Sequence, residues 1–201
     1  MSVKTTILNI GCGKLLPLDL PESYFLINLD SIEFNESERT HSVLDELDDY
    51  AKSFTRVSNE TRYIHEDVWD FFEMTVHKFD RIVSYRFLEH IPRENLLSFL
   101  WNISTCLKVG GKLDIIVPNH QKLAEMLVNE KPEDIKDQSH DILLTTEFLN
   151  EPSEPHASLW SPDRAKYYLG VEKRFEIDEI IENFEFDGRD IYIRILARRV
   201  K

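Results

Sequence analysis

A β-branched apolar segment that runs directly into two closely spaced glycines constrains the fold more than any other feature of the sequence. Residues 3–10 read VKTTILNI, and Gly11 and Gly13 follow with Cys12 between them. β-Branched side chains favour the pleated backbone of a buried strand. Glycine permits a tight turn and lets the backbone approach a ligand closely. This pattern therefore predicts a buried first strand that ends in a turn facing a ligand.

Strand and helix patterns alternate along the rest of the chain. Further strands are predicted at 24–29, 62–66, 79–85, 112–117, 171–181 and 190–198. Helices are predicted at 40–54, 93–108, 120–129 and from Pro162 onward, with Gly110 and Gly111 ending the second and Gly170 ending the last. The alternation up to residue 119 predicts an α/β fold with a mostly parallel sheet, and a hairpin at Asp187 and Gly188 adds an antiparallel strand.

The length and the charge of the chain limit its domain count and its partners. With 201 residues we expect one domain, 1–201, in which 120–160 form an acceptor-pocket insertion and 130–160 a mobile lid. The 37 acidic residues outnumber the 24 basic ones, and the net charge of −13 disfavours nucleic acid and membrane partners. The sequence shows no signal peptide and only two cysteines, so we expect a cytoplasmic location. The oligomeric state is left open.

Three of the predicted strands end in residues suited to binding a nucleotide. The first ends at Gly11, and Asp30 follows at about the spacing at which nucleotide-binding units present a carboxylate to ribose hydroxyls. Asp67 and Val68 follow the third strand. Because the carboxyl ends of parallel strands meet at one edge of a sheet, these groups are expected to share a site there.

Five segments, in this order, resemble the successive motifs of class I S-adenosylmethionine-dependent methyltransferases. They are ILNIGCGK, INLDS, HEDVWDF, FDRIVSYRFLEHI and LKVGGKLDIIVPN. The resemblance is to small bacterial and phage members with a short segment after the glycine motif, and HASLWSPDRAKYYL extends it over nearly the whole chain. It implies a Rossmann-like, seven-stranded, mostly parallel sheet with one antiparallel strand and helices on both faces. S-adenosylmethionine, which becomes S-adenosylhomocysteine after transfer, would lie across the strand ends.

The same resemblance assigns a set of cofactor-binding residues. They are Gly11, Cys12 and Gly13 at the methionine part, Asp30 at the ribose, Asp67 and Val68 at the adenine, Ser84, Tyr85 and Arg86 beside the sulfonium, and Asn9 and Ser31 as further contacts. In the common pattern of the family a third glycine stands where this chain has Leu15.

Histidines are the candidates for catalysis, because methyl transfer to an alcohol or amine requires that its proton leave. His90 follows the fourth strand and is expected either to orient or deprotonate the acceptor, or to hold the backbone at a helix start. His156 is either a residue of the acceptor pocket or a surface loop residue, with Trp160 nearby as a possible stacking partner. His120 is a further candidate for acceptor contact, and Glu89 is expected to cap backbone amides. The spacing of potential ligands indicates no metal cluster.

Together these patterns predict a methyltransferase that acts on an oxygen or nitrogen of a small-molecule or glycan-like acceptor. Two alternatives stay open. One is a methyltransferase-like fold without catalysis that serves as an interaction or regulatory module, which the absence of the third glycine favours. The other is a methyltransferase whose acceptor is a protein or nucleic acid.

Overall fold

The computed structural model describes residues 4–12, 17–31, 60–129, 156–171, 173–186 and 188–201. The predicted helix at 40–54, Gly13 and most of the predicted lid at 130–160 lie outside these ranges. The turn residue Asp187 also lies outside them.

Seven strands form one sheet in the described part of the chain. They are β1 (Thr5–Ile10), β2 (Tyr24–Asp30), β3 (Glu60–His65), β4 (Phe79–Tyr85), β5 (Leu107–Pro118), β6 (Phe175–Phe186) and β7 (Arg189–Arg199). The strand order is β3-β2-β1-β4-β5-β7-β6. The pairs from β3 to β5 are parallel, whereas β7 is antiparallel to both of its neighbours. The predicted mostly parallel sheet with one antiparallel strand is therefore confirmed.

Helices cover both faces of this sheet. They are α1 (Val68–Met74), a 3-10 turn (Leu88–His90), α2 (Leu96–Cys106), α3 (His120–Val128) and α4 (Pro162–Val171). Alternate residues of a strand point to opposite faces, and two separate cores result. Phe71 of α1, Phe99 of α2 and Leu169 of α4 belong to the core on one face, and Leu123 of α3 belongs to the other. Within the described ranges we find no helix that is both long and apolar enough to span a membrane.

The sequence analysis expected the glycine pair after α2 to end that helix, but the structure shows otherwise. The helix already ends at Cys106, and β5 starts at the next residue. Leu107 pairs with Phe79 of β4, but the pairing resumes only at Lys112 opposite Arg81, so the residues between them form an irregular bulge. At Gly111 a β-carbon would lie 2.8 Å from a backbone carbonyl oxygen of the same bulge. The bulge is therefore the reason that glycine is needed here.

Candidate active site

A cavity of about 370 Å³ opens at the carboxyl ends of β1, β2 and β3. Its lining includes six of the residues predicted for the site, namely Gly11, Asp30, Ser31, Asp67, Val68 and His90. The cavity lies beside the point where the strand order reverses between β1 and β4, which is where open parallel sheets bind ligands. Its volume is within the range of small-molecule sites, about 300–1,000 Å³.

Gly11 forms the turn at the end of β1 with a backbone that a side chain would strain. Its φ is +61°, and its backbone N–H donates a hydrogen bond of 2.9 Å to the carbonyl of Leu29. A β-carbon on this residue would lie 2.1 Å from Cδ2 of Phe87, far inside van der Waals contact. Phe87 also lines the cavity and packs against Phe99. Glycine is therefore required here for both its conformation and its size.

Cys12 lies next to this turn but has the character of a packing residue. Its side chain is buried, and burial together with the nearby negative charge of Asp30 raises the pKa of the thiol to about 12. The thiol thus stays protonated at neutral pH, which makes it a poor nucleophile. Asp30 ends β2 and faces the cavity.

Asp67 has a structural role that the sequence analysis did not foresee. Its Oδ1 accepts a hydrogen bond of 2.8 Å from the backbone N–H of Trp69 and so caps α1. The sequence analysis missed this helix, although an aspartate followed by Val68, Phe71 and Phe72 at helical spacing is a recognisable signal. The cap fixes the position of the Asp67 side chain at the cavity wall.

Five of the predicted cofactor residues do not line the cavity, namely Asn9, Cys12, Ser84, Tyr85 and Arg86. The side-chain amide of Asn9 donates to the Asn28 side chain at 2.8 Å, inside the sheet. Tyr85 is directed to the other face, where its hydroxyl donates to Asp114 at 2.9 Å and accepts from the backbone N–H of Leu18. Burial and the charge of Asp114 raise the pKa of Tyr85 well above its usual value. Gly13 lies outside the described residues.

Three histidines that the sequence analysis considered separately form a row beside the cavity. The rings of His90 and His156 are 5.1 Å apart, edge to face, and those of His156 and His120 are 5.3 Å apart. The backbone N–H of Trp160 donates to Nδ1 of His120 at 3.0 Å, so neutral His120 carries its proton on Nε2. That nitrogen lies 3.2 Å from Nδ1 of His156, to which it therefore donates. Of the three, His90 lines the cavity.

The segment that carries His156 is attached to the 3-10 turn through the backbone. The N–H groups of Ala157 and Ser158 both donate to the carbonyl of Glu89, at 2.8 and 2.9 Å. Trp160, which we expected near the acceptor, is instead fully buried, and its indole N–H donates to Ser158 Oγ at 3.2 Å. The attachment brings His156 to His90 across a long stretch of sequence.

The strand order, the single antiparallel strand and the position of the cavity define the class I methyltransferase fold. No protein-family model matches the sequence, and no curated protein sequence does either. Solved structures of S-adenosylmethionine-dependent methyltransferases share the fold, so the resemblance seen in the sequence is confirmed at the level of the fold.

Three of these structures illustrate the likeness. The magnesium protoporphyrin IX methyltransferase of Synechocystis, solved with S-adenosylhomocysteine, has 14% identity and a TM-score of 0.57 over 98% of this chain and 74% of its own. An S-adenosylmethionine-dependent methyltransferase of Methanosarcina mazei has 19% identity and a TM-score of 0.55 over 100% and 94%. The N-methyltransferase NodS of Bradyrhizobium japonicum, also with S-adenosylhomocysteine, has 12% identity and a TM-score of 0.54 over 98% and 79%.

Proposed function

We propose that this chain is an S-adenosylmethionine-dependent methyltransferase that acts on an oxygen or nitrogen of a small-molecule acceptor. The observation that carries the proposal is the cavity at the carboxyl edge of the sheet. There the glycine turn of β1, the carboxylates of Asp30 and Asp67, and the imidazole of His90 line one space. Proteins with the same fold, among them the methyltransferase of Synechocystis, were solved with S-adenosylhomocysteine bound.

The residues that line the cavity fit this cofactor. The carboxylate of Asp30 would accept hydrogen bonds from the ribose hydroxyls, and Asp67 with Val68 would border the adenine. Gly11, which has no side chain of its own, would border the methionine part. When bound, S-adenosylmethionine supplies a methyl group on a positively charged sulfur, so the chain has mainly to align the acceptor with it and exclude water.

His90 is the residue we propose for handling the acceptor proton. It lines the cavity, and a neutral imidazole can accept the proton of an alcohol or amine as the new bond to the methyl carbon forms. His156 lies behind it and holds its ring in an edge-to-face contact. A small acceptor agrees with the acidic chain, because a net charge of −13 disfavours nucleic acid. A glycan-like acceptor and a cytoplasmic location stay predictions.

Titration calorimetry with S-adenosylhomocysteine and S-adenosylmethionine tests the proposal. We expect micromolar binding of both by the wild-type chain. In Asp30→Ala the affinity should fall at least about tenfold, because a ribose hydroxyl then loses a charged acceptor that contributes roughly 1.5–3 kcal/mol. Asp163→Ala removes an exposed carboxylate on α4, far along the chain from these strand ends, and should bind as the wild type does.

The two variants separate the possible outcomes. Equal affinities in folded Asp30→Ala and Asp163→Ala would remove the assignment of Asp30. If the wild-type chain bound neither compound, the proposal as a whole would fail.

A non-catalytic interaction module is the second candidate, and one observation favours it. The ring of Phe87 lies directly against Gly11, in the space next to the glycine turn. A cofactor whose methionine part approached this turn would have to displace the ring or pass beside it. The same calorimetric titration decides between the two functions.

A further inference from the structure

A buried carboxylate and two imidazoles meet beside the cavity. One oxygen of Glu89 and one ring nitrogen each of His90 and His156 all lie within 4.8 Å of one another. Glu89 is only 1% exposed. A carboxylate that is removed from water is stabilised by a positive charge close to it, so this group favours a cation.

The backbone holds these three side chains together. Glu89 and His90 belong to the 3-10 turn, and the segment after His156 is bonded to that turn by the N–H groups of Ala157 and Ser158. The Oγ of Ser158 adds a hydrogen bond of 3.0 Å to the carbonyl of Leu88. The donor atoms are thus brought close before any ion binds, which lowers the ordering cost of binding.

The donor set selects a class of metal ion. Two imidazole nitrogens and one carboxylate oxygen are the ligands of catalytic zinc sites and of related iron and cobalt sites, whereas magnesium and calcium prefer oxygen alone. With metal–ligand bonds of about 2.0–2.1 Å, ligand atoms of a tetrahedral site lie roughly 3.4 Å apart. Small side-chain rotations would therefore bring Glu89, His90 and His156 to ligand distance.

His120 is hydrogen-bonded to His156, one of the three proposed ligands, before any ion binds. It donates from Nε2 to Nδ1 of His156, which leaves Nε2 of His156 as the ligand nitrogen. Metal-binding histidines commonly donate a hydrogen bond from the other ring nitrogen, whereas His156 accepts one there before any ion binds. A neutral ligand histidine carries its proton on the nitrogen away from the metal, so a cation at Nε2 requires that the proton of His156 move to Nδ1 and that the hydrogen bond from His120 be given up.

We propose that Glu89, His90 and His156 bind one divalent transition-metal ion, such as Zn²⁺, next to the cavity. Three protein ligands leave a coordination position open, and His90 places the ion at the cavity wall. This role of the ion rests on the proposed function: it would hold the acceptor oxygen or nitrogen and make its proton easier to lose. With the ion bound, His90 is a ligand and cannot also accept the acceptor proton, which would leave to solvent instead, so the ion replaces the direct proton transfer proposed for His90.

Metal binding is tested on the full chain without cofactor or acceptor. Metal-free protein is titrated with Zn²⁺ by calorimetry, and bound metal is measured by mass spectrometry after removal of the excess. We expect one ion per chain, with at least about tenfold weaker binding in His156→Gln and in Glu89→Gln. Co²⁺ in place of Zn²⁺ should give a visible absorption band that both variants lose.

A control variant and a second test variant keep the metal-binding result interpretable. His77→Gln removes a histidine near the start of β4 and should bind Zn²⁺ as the wild type does. If Glu89→Gln does not fold, His156→Gln carries the test alone, because it removes one ligand and keeps a polar side chain there. The proposal is overturned if the wild-type chain binds no stoichiometric Zn²⁺, or if His156→Gln binds it unchanged. Failure to bind S-adenosylhomocysteine would reject the proposed function and leave this result standing.

Discussion

At the scale of single residues, the contact between Gly11 and Phe87 shapes the wall of the candidate site. Gly11 combines a positive φ with a neighbour that leaves no room for a β-carbon. Gly110 also has a positive φ, +79°, but nothing lies within 4 Å of its β-carbon position. A comparison of substitutions at the two glycines therefore separates the cost of backbone strain from the cost of steric overlap.

We expect Gly11→Ala to destabilise the chain more than Gly110→Ala. Both variants carry the strain of a left-handed backbone, about 1 kcal/mol, but the first also forces the Phe87 ring to move, for roughly 1–3 kcal/mol more. Urea unfolding of both variants measures the difference. Equal losses of stability in the two variants would mean that the ring of Phe87 moves aside at little cost and that this part of the cavity wall is easily deformed.

At the scale of elements, one carboxylate joins three neighbouring strands. Asp80 of β4 accepts hydrogen bonds from the backbone N–H and the hydroxyl of Thr6 in β1, at 2.8 and 2.7 Å, and from Lys108 of β5 at 2.8 Å. Burial raises the pKa of Asp80, but the hydrogen bonds from Lys108 and Thr6 outweigh it and hold the pKa below its usual value. The ionised form is therefore the one that stabilises the sheet.

The sign of this shift gives a pH dependence for Asp80→Asn. A carboxyl with a lowered pKa in the folded chain stabilises it above the pKa of the unfolded chain, about 3.9, and loses that contribution as pH falls through the folded value. At neutral pH we expect the variant to lose roughly 1–2 kcal/mol, a modest figure because the pair is partly exposed. The difference from wild type should shrink below about pH 4 in urea unfolding.

Glu94→Gln supplies the control for this pH dependence, because Glu94 is an exposed residue in the turn before α2. Its stability difference from wild type should stay small across the same pH range. A difference for Asp80→Asn that did not change between pH 7 and pH 3 would contradict the role given to its charge.

At the scale of the whole molecule, a buried charge network connects β4, β5 and β7 with the connection between β1 and β2. Asp114 of β5 is 1% exposed and accepts hydrogen bonds from Arg81 and Tyr85 of β4 and from Arg194 of β7. Arg194 also pairs with Asp19, at 3.2 Å, in the connection between β1 and β2. The hydrogen bonds from Arg194 to Asp114 raise the pKa of that guanidinium above its usual value.

We expect Asp114→Ala to lower the free energy of unfolding by roughly 3–5 kcal/mol, because Arg81 and Arg194 would keep their charges without the buried carboxylate. Asp190→Ala is the matched comparison. It removes the carboxylate of an exposed ion pair with Lys122 and should cost less than about 1 kcal/mol. Unfolding in urea measures both, and similar losses would show that the network is solvated.

The sequence by itself determined the sheet class, the presence of seven strands and several site positions, although the strand predicted at 171–181 starts within α4 and the observed β6 is Phe175–Phe186. Alternating and β-branched apolar runs mark strands because burial imposes a period of two, and strand ends of a parallel sheet share one edge. Gly11, Asp30 and Asp67 could therefore be assigned to one cavity from their places after predicted strands. Short-range signals failed at α1, where a brief capped segment was overlooked, and at Gly111, where a bulge requires the residue.

The tertiary structure alone decided which distant side chains meet. His90, His120 and His156 were each considered, but their row depends on the backbone contacts that attach the segment after His156 to the 3-10 turn. Likewise, alternation along β4 sends Tyr85 to the other face, but its hydrogen bond to Asp114 depends on which strand lies next to β4. Such contacts form between residues far apart in the chain. Strand order and packing therefore determine them, and the local periodicity of the sequence does not predict them.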